Sequence, residues 1–242
     1  MSWQQLDLQT QKHLLARMRE HIIPERQQKM AAVLAFRTRY LTVFVEDLYD
    51  PRNIAAILRS CDCFGVQDVH AIEKRNEFPK YGGYAAAGAD NWVLVHRYNE
   101  EGGEGTAVCL QGLKEKGYFI AATTLRKTDA LGRPRAIFDL HNLPLDQPLA
   151  LCYGNEEIGL SDEAHQLADA FVQIPMFGFT QSFNISVTVA LSLHTLTQRL
   201  HQSKRPWQLT EAEQVAVELE WLEKTILNGD RVLVHHLAQL ET

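Results

Sequence analysis

Residues 174–196, IPMFGFTQSFNISVTVALSLHTL, join the end of one short apolar run to a second, much longer apolar segment. A tight connection between two such elements needs only a glycine and a polar cap. This connection instead mixes aromatic residues with small and polar ones, namely Gly178, Thr180, Gln181, Ser182 and Asn184. We therefore interpret the loop as a built surface rather than a simple link.

The segment after this loop carries two conflicting patterns. From Ile185 to Leu193, apolar residues occupy every second position, and a period of two is typical of a strand. The segment continues through His194–Leu200, however, which makes it far longer than a usual strand. Because Ser182 or Asn184 could cap a helix, and small residues on one face would allow close packing, we predict a helix.

Upstream of this region, apolar runs alternate with helical patterns. The run LTVFVE (Leu41–Glu46) is followed by helical spacing over Ile54–Phe64. Five further runs read VQDVHAI, WVLVHR, YFIAATTL, LALCYG and AFVQIPM, and the segments TAVCLQGLKEKG and SDEAHQLADA have the character of helices. Near-continuous apolar strands separated by helices predict an α/β fold, with a mostly parallel sheet covered by helices on both faces. Two connections, residues 75–90 and 126–146, are long for a compact domain, and long loops are often functional.

Helical spacing also occurs at both ends of the chain, over Leu6–Ile22, Pro24–Arg37 and Thr210–Leu227. Thr210 and Glu213 form the pattern of a capping box. We therefore expect an N-terminal basic helical extension over residues 1–40, a core domain over 41–203 and a C-terminal helical extension over 204–242. The length of 242 residues would also allow two small domains.

Composition is that of an ordinary globular protein, with 45% hydrophobic and 22% charged residues. No apolar run approaches the ~20 residues that span a bilayer, and the N-terminus lacks the apolar core of a signal peptide. We therefore expect a cytoplasmic protein that does not associate with a membrane. The spacing of the four cysteines matches neither a zinc motif nor a disulfide framework. We therefore expect no metal site and expect the cysteines to be reduced thiols, namely Cys61, Cys63, Cys109 and Cys152.

Charge is unevenly distributed, although the net charge is only −6. Between Thr10 and Tyr40, seven lysines and arginines stand against two glutamates, whereas residues 210–227 are rich in glutamate. Such an asymmetry is expected if the N-terminal end binds an anionic partner. A solvent-exposed helix face would produce the same pattern without any partner. Charge alone leaves both interpretations open.

Two other segments carry polar residues where parallel strands are expected to end. In the first, Asn53 and Arg59 lie six positions apart in the helix predicted after the first strand. In the second, LCYGNEEIG, a buried strand reaches Tyr153 and then turns through Gly154 and Glu156. Ligands gather at the carboxyl ends of parallel strands. Asn53 alone would nevertheless be unremarkable as a helix cap, and the second segment would be unremarkable as a solvated turn.

Together with the loop at residues 174–184, these segments resemble the three motifs of the SPOUT superfamily, specifically its SpoU/TrmH-type RNA 2′-O-ribose methyltransferases. The motifs are an N-x5-R helix, a G-x-E-x-x-G turn after a strand, and an I-P-M/x-x-G-x-x-x-S-x-N loop leading into a helix. Each is weak alone, but their order and their α/β spacing across residues 41–200 make the combination specific. The resemblance implies the SPOUT fold with a C-terminal deep trefoil knot, S-adenosylmethionine as cofactor, and methylation of a ribose 2′-hydroxyl in RNA.

The resemblance also implies catalytic roles for five residues. Arg59 is expected nearest the ribose oxygen, as base or activator, although a guanidinium normally stays protonated and could instead stabilise a developing alkoxide. Asn53 is expected to hold Arg59 or the target nucleotide, and Glu156 to pair with Arg59 or with a group of a partner subunit. Ser182 and Asn184 are expected to present polar groups near the sulfonium or the ribose.

Two sets of binding residues follow from the same resemblance. The cofactor slot is expected to be walled by Leu125, Gly154, Ile174, Met176, Ser182 and Leu191. The phosphates of the RNA are expected to be bound by Arg17, Arg19, Arg26, Lys29 and Arg52.

The terminal helices resemble the tRNA guanosine-2′-O-methyltransferase branch of the family. This implies tRNA as the partner, a D-loop guanosine as the target and a homodimer, although a monomer could also bury the terminal helices. One alternative is an rRNA methyltransferase of the same superfamily, many of which carry a separate N-terminal RNA-binding domain. Another is a non-catalytic RNA-binding module on the same fold, against which the joint presence of the five polar side chains argues.

Overall fold

A computed structural model describes residues 2–77, 88–99 and 105–240 of the chain. Most of the long connection at residues 75–90 therefore lies outside the described residues.

The described residues contain α-helices and strands that are numbered in chain order. The helices are α1 (Leu8–Arg19), α2 (Pro24–Leu34), α3 (Pro51–Cys63), α4 (Thr106–Glu115), α5 (Asp162–Leu167), α6 (Ile185–Gln202), α7 (Glu211–Thr225) and α8 (Gly229–Leu240). The strands are β1 (Leu41–Glu46), β2 (Asp68–Glu73), β3 (Leu94–Asn99), β4 (Phe119–Thr123), β5 (Ala136–Phe138), β6 (Leu149–Tyr153) and β7 (Ala170–Val172).

The chain forms two compact units. The larger unit spans Thr38–Trp207 and contains the sheet, whereas the smaller unit combines the chain up to Arg37 with the chain from Gln208 onward. Both ends of the chain thus belong to one helical unit.

All seven strands form one parallel sheet in the order β3-β2-β1-β6-β4-β7-β5. Strand β1 lies between β2 and β6, and all six of its residues are buried. The parallel sheet predicted from the sequence is confirmed. Strand β5 was not predicted, because its three residues lie inside the connection at 126–146 and are too few to form a recognisable apolar run.

Helices cover both faces of the sheet, as the sequence predicted. Val43 of β1 packs in one cluster with Ile57 of α3 and Val189 of α6. Its neighbour Phe44 belongs to the other face, where it packs with Leu110 of α4. Burial on both faces explains why the strands have near-continuous apolar sequences rather than alternating ones.

The segment with conflicting patterns is a helix, α6, as predicted. Asn184 is its N-cap, and its Oδ1 atom accepts the backbone N–H groups of the first turn. The period of two arises because α6 is apolar on two sides. Val189 and Leu193 are buried, whereas Val187 and Leu191 are 45% and 39% exposed.

The smaller unit consists of α1, α2, α7 and α8, within the part of the chain that the structure describes. The capping box predicted at the start of α7 is present, with Thr210 and Glu213 bonded reciprocally. Helix α1 packs against α7, and Lys12 pairs with Glu211 at 2.6 Å. None of the described helices is long and apolar enough to cross a membrane.

Candidate active site

Three side chains from distant parts of the sequence form a chain of hydrogen bonds at the carboxyl edge of the sheet. Asn184 Nδ2 donates to Asn53 Oδ1 at 3.0 Å, and Asn53 Nδ2 donates to Glu156 Oε1 at 2.7 Å. The direction of these bonds is fixed, because Asn184 Oδ1 already accepts the backbone N–H of Ser186 at 2.8 Å. The helix, the glycine turn and the polar loop therefore meet at one point.

Asn53 is not the cap of α3. The cap is Asp50, whose side chain accepts a backbone N–H two residues further on at 2.9 Å, and Pro51 occupies the first helical position. Because another residue caps the helix, the Asn53 side chain can bond to Glu156 instead. The Glu156 carboxylate also accepts the backbone N–H of Tyr49 at 3.3 Å.

The turn after β6 requires its two glycines. A Cβ atom on Gly154 would lie 2.1 Å from the carbonyl carbon of Gly159, and Gly159 itself has a φ of +73°. Between them, the buried Asn155 donates from Nδ2 to the backbone carbonyl of Asp47 at 2.6 Å, and its Oδ1 accepts a backbone N–H two residues further on at 2.8 Å. Asn155, to which sequence analysis assigned no role, thereby fixes the turn that presents Glu156.

A buried carboxylate at the end of β1 fixes the other end of this turn. Glu46 Oε1 accepts the hydroxyls of Ser161 at 2.7 Å and Thr106 at 2.5 Å, and its Oε2 accepts the backbone N–H of Ser161 at 2.7 Å. Lys74 Nζ lies 3.1 Å from the same carboxylate and offsets its charge. Both oxygens of this buried carboxylate thus have hydrogen-bond partners.

A cleft of about 560 Å³ opens beside the hydrogen-bonded chain. Its walls come from the ends of β4, β6 and β7 and from the first turn of α6, and both Glu156 and Asn184 line it. Five of the six residues expected in the cofactor slot also line it, namely Leu125, Gly154, Ile174, Met176 and Ser182.

The polar residues that line the cleft but that sequence analysis did not assign include Thr124, Arg126, His165 and Gln173. The His165 Nδ1 atom lies 2.7 Å from the Ser161 carbonyl, which can only accept, so Nδ1 carries the proton. The Nε2 atom then accepts the hydroxyl of Thr124 at 3.0 Å. Burial lowers the pKa of His165, which favours this neutral ring. A lone histidine in a short helix gives no sequence signal for such a position.

The cleft fits S-adenosylmethionine in size and in chemistry. Its volume of about 560 Å³ lies within the range of about 300–1,000 Å³ typical of small-molecule sites. The apolar side chains of Leu125, Ile174 and Met176 suit an adenine ring, and the carboxylates of Glu156 and Glu157 suit the positive charge of a sulfonium.

Two predicted site residues, Arg59 and Leu191, lie away from this cleft, and Asn53 does not line it either but is hydrogen-bonded to Asn184 and Glu156, which do. Arg59 lies on an exposed side of α3, and no ion pair or hydrogen bond engages it within the described ranges. Leu191, expected in the cofactor slot, is the seventh residue of α6, and the helix carries it away from the strand ends to a 39% exposed position. Since α3 packs against α6, both residues lie on the outer surface of this helical layer.

Two of the cations expected to bind RNA are occupied within the helical unit. Arg19 binds Glu218 through two hydrogen bonds of 2.7 and 2.6 Å, and Glu218 is buried. A buried carboxylate requires such a charge for itself, so RNA binding by Arg19 stays a prediction. Arg17 lies 4.0 Å from Glu20 and is half-exposed. The uneven distribution of charge along the sequence is therefore explained in part by ion pairing between helices, as between Arg19 of α1 and Glu218 of α7.

The other three expected cations are more accessible. Arg52 is exposed on α3, although its guanidinium binds Asp50 at 2.9 Å. Arg26 and Lys29 of α2 are exposed and have no ion-pair partner among the residues that the structure describes. These two side chains are therefore available to bind phosphates.

Comparison with known proteins identifies close likenesses. The model of the SpoU rRNA Methylase family matches residues 40–194. The chain is 35% identical over 207 residues to the tRNA (guanosine(18)-2′-O)-methyltransferase of Borreliella burgdorferi, covering 86% of this chain and 88% of the relative. It is 33% identical over 196 residues to the protein of that name from Escherichia coli K12, covering 79% of each. The crystal structure of the A. aeolicus TrmH/SpoU tRNA modifying enzyme superimposes with a TM-score of 0.69 at 26% identity, covering 84% of this chain and 98% of that one.

Proposed function

This chain belongs to the SpoU rRNA methylase family, and we propose that it transfers the methyl group of S-adenosylmethionine to the ribose 2′-hydroxyl of a guanosine in tRNA. The observation that carries the proposal is the hydrogen-bonded chain in which Asn53 links Asn184 and Glu156, two residues that line a cleft that fits the cofactor. The names of relatives at 33–35% identity support guanosine 18 as the target. A tRNA substrate would also place the protein in the cytoplasm.

S-adenosylmethionine would supply a methyl group activated by a positively charged sulfur. The protein must then align the ribose oxygen with that methyl group and stabilise the charge that develops on the oxygen. Asn53 is bonded to both Asn184 and Glu156, so it holds these two cleft-lining side chains in fixed positions, against which a ribose can be aligned. The exposed Ser182 lines the same cleft and has no hydrogen-bond partner among the described residues, which leaves its hydroxyl available to substrate.

Arg59 enters this proposal through a homodimer. It lies outside the cleft of its own chain, so we assign it to the cleft of a second subunit, where its guanidinium stabilises the developing alkoxide. Exposed apolar side chains on the polar loop and α6 support such an interface, because a lone subunit would leave them in water: Phe177, Phe179, Phe183, Val187 and Leu191. The larger unit is then the methyltransferase domain, and Arg26 and Lys29 of the helical unit contact the RNA backbone.

The test is a transfer assay with S-adenosylmethionine labelled on its methyl group, using bulk tRNA and bulk rRNA as separate substrates. We expect label in tRNA and, after nuclease mapping, at the ribose of guanosine 18. An Asn53→Ala variant serves as the control for adventitious activity. Label in rRNA alone would favour the rRNA alternative, and cofactor binding without any transfer would favour a non-catalytic RNA-binding module.

A further inference from the structure

A second cluster of cations lies on the hairpin of residues 127–135, which connects β4 to the edge strand β5 and is called the β4–β5 hairpin. It contains Lys127, Arg133 and Arg135 against a single acidic residue, Asp129. The hairpin follows directly on Arg126, which lines the cleft. Its two arms are joined by an antiparallel bridge between residues 128 and 134.

The hairpin is organised around the buried carboxylate of Asp129. The Oδ1 atom accepts the backbone N–H groups of Leu131 at 3.0 Å and Arg133 at 2.9 Å. The Oδ2 atom accepts Arg133 Nε at 2.7 Å and an Arg135 terminal nitrogen at 3.1 Å. Arg135 also donates to the Gln166 carbonyl at 2.8 Å, which anchors the hairpin to the end of α5. The loop is therefore held in one shape before any partner arrives.

Two of the three cations remain available to a partner. Lys127 is exposed and has no ion-pair partner in the described part of the chain. The Arg133 side chain is 57% exposed, and Asp129 engages only its Nε atom, which leaves both terminal nitrogens as donors. Arg126 differs, because it pairs with Asp162 at 2.6 Å. The hairpin thus presents an excess of positive charge beside the cleft.

We propose that the β4–β5 hairpin binds phosphates of the RNA backbone on either side of the methylated nucleotide, through Lys127 and Arg133. The proposal rests on the function proposed above. An RNA whose target ribose lies in the cleft must continue past its rim, and the hairpin begins at that rim. Neither Lys127 nor Arg133 lines the cleft itself, which favours the RNA over the cofactor as their ligand. Exposed cations on a rigid loop bind phosphates without reading sequence.

The experiment measures tRNA binding by fluorescence anisotropy at several salt concentrations. The variants are Lys127→Ala and the double change Lys127→Ala with Arg133→Ala. Lys204→Ala is the matched control, since Lys204 is exposed just beyond the C-terminus of α6. We expect the double variant to raise Kd about tenfold. We expect the slope of log K against log salt to fall by about one per residue removed. The Kd for S-adenosylmethionine, measured by calorimetry, is expected to stay unchanged.

Lys127→Ala removes no contact of Asp129, so its effect on the slope reports phosphate binding even if the double variant distorts the hairpin. An unchanged slope in both variants would overturn the proposal, as would weaker cofactor binding with unchanged tRNA binding. The wild-type transfer assay distinguishes a failure of the hairpin proposal from a failure of the proposed reaction. A wild-type protein that methylates tRNA while the hairpin variants bind it normally would refute the hairpin alone. A wild-type protein that transfers nothing, with weakened RNA binding in the variants, would refute the proposed reaction alone.

Discussion

The Asn184 side chain uses both ends of its amide: Oδ1 caps α6, and Nδ2 donates to Asn53. An Asn184→Asp variant keeps the cap, because aspartate and asparagine cap helices about equally well, but it removes the donor. We expect its methyl transfer to fall about 100-fold, the cost of a misplaced substrate, with little change in thermal unfolding. Asn184→Ala should lose about 1 kcal/mol of stability as well, because it also removes the cap. Full activity in the aspartate variant would show that the bond to Asn53 is dispensable.

Arg59 offers a cleaner separation of stability from activity. Because the side chain is exposed and unpaired within the described residues, Arg59→Ala should change the free energy of unfolding by less than about 0.5 kcal/mol. We expect near-total loss of methyl transfer with cofactor binding retained, measured by a tritium-transfer assay and by calorimetry. Lys204→Ala is again the control for loss of an exposed charge. An active Arg59→Ala protein would remove this residue from the mechanism.

At the scale of elements, the turn after β6 depends on a glycine that its neighbours leave no room to replace. In Gly154→Ala the new Cβ would meet backbone atoms of Gly159 and Leu160 at 2.1 Å, so the turn must move. We expect lower stability and weaker S-adenosylmethionine binding by calorimetry. Gly112→Ala in α4 is the matched control, because its Cβ meets nothing within 4 Å. There the helix should gain up to about 1 kcal/mol. Equal effects of the two changes would contradict the steric argument.

The elements that sequence patterns predicted well are those whose own residues determine them. The central strands β1 and β6 are buried along their whole length, and α6 was predicted from its length despite its alternation. The short strand β5 was missed because its pairing with β7, rather than its composition, makes it a strand. Contacts between residues far apart in the sequence could not be predicted either. The pairing of Arg19 with the buried Glu218, for example, has no local sequence signature. Motif spacing identified Asn53, but only the fold showed that Asp50 caps its helix.

At the scale of the whole molecule, a buried histidine couples stability to pH. Burial lowers the pKa of His70, on β2, from 6.5 to about 3. Below pH 6.5, His70 therefore binds a proton in the unfolded chain but not in the folded chain. The contribution of His70 is complete above pH 6.5 and is lost as the pH falls toward 3. We expect the free energy of unfolding to fall by about 1.4 kcal/mol per pH unit from this residue.

The measurement is denaturant unfolding between pH 6.5 and 4.5, where carboxylates whose pKa is lowered, such as Asp47 and Asp68, stay ionised. A His70→Gln variant should show a shallower slope over the same range, because it has no proton to bind. His165, whose pKa burial also lowers, is expected to leave a residual slope in that variant. Identical slopes for the two proteins would show that His70 protonates in the folded state.

The assignment of Arg59 to the cleft of a second subunit makes a prediction about mixtures. Arg59→Ala and Asn184→Asp are each expected to be inactive alone. In a mixed dimer, the intact Arg59 of one subunit would meet the intact cleft of the other and restore one of the two sites. Random exchange of subunits should then recover about a quarter of wild-type methyl transfer. If Arg59 serves its own cleft, both sites of every mixed dimer stay defective, and the mixture stays inactive. Light scattering on the same samples establishes that dimers form, and co-purification of an untagged variant with a tagged one establishes that they are mixed. A silent mixture of such mixed dimers would place Arg59 in its own subunit's site.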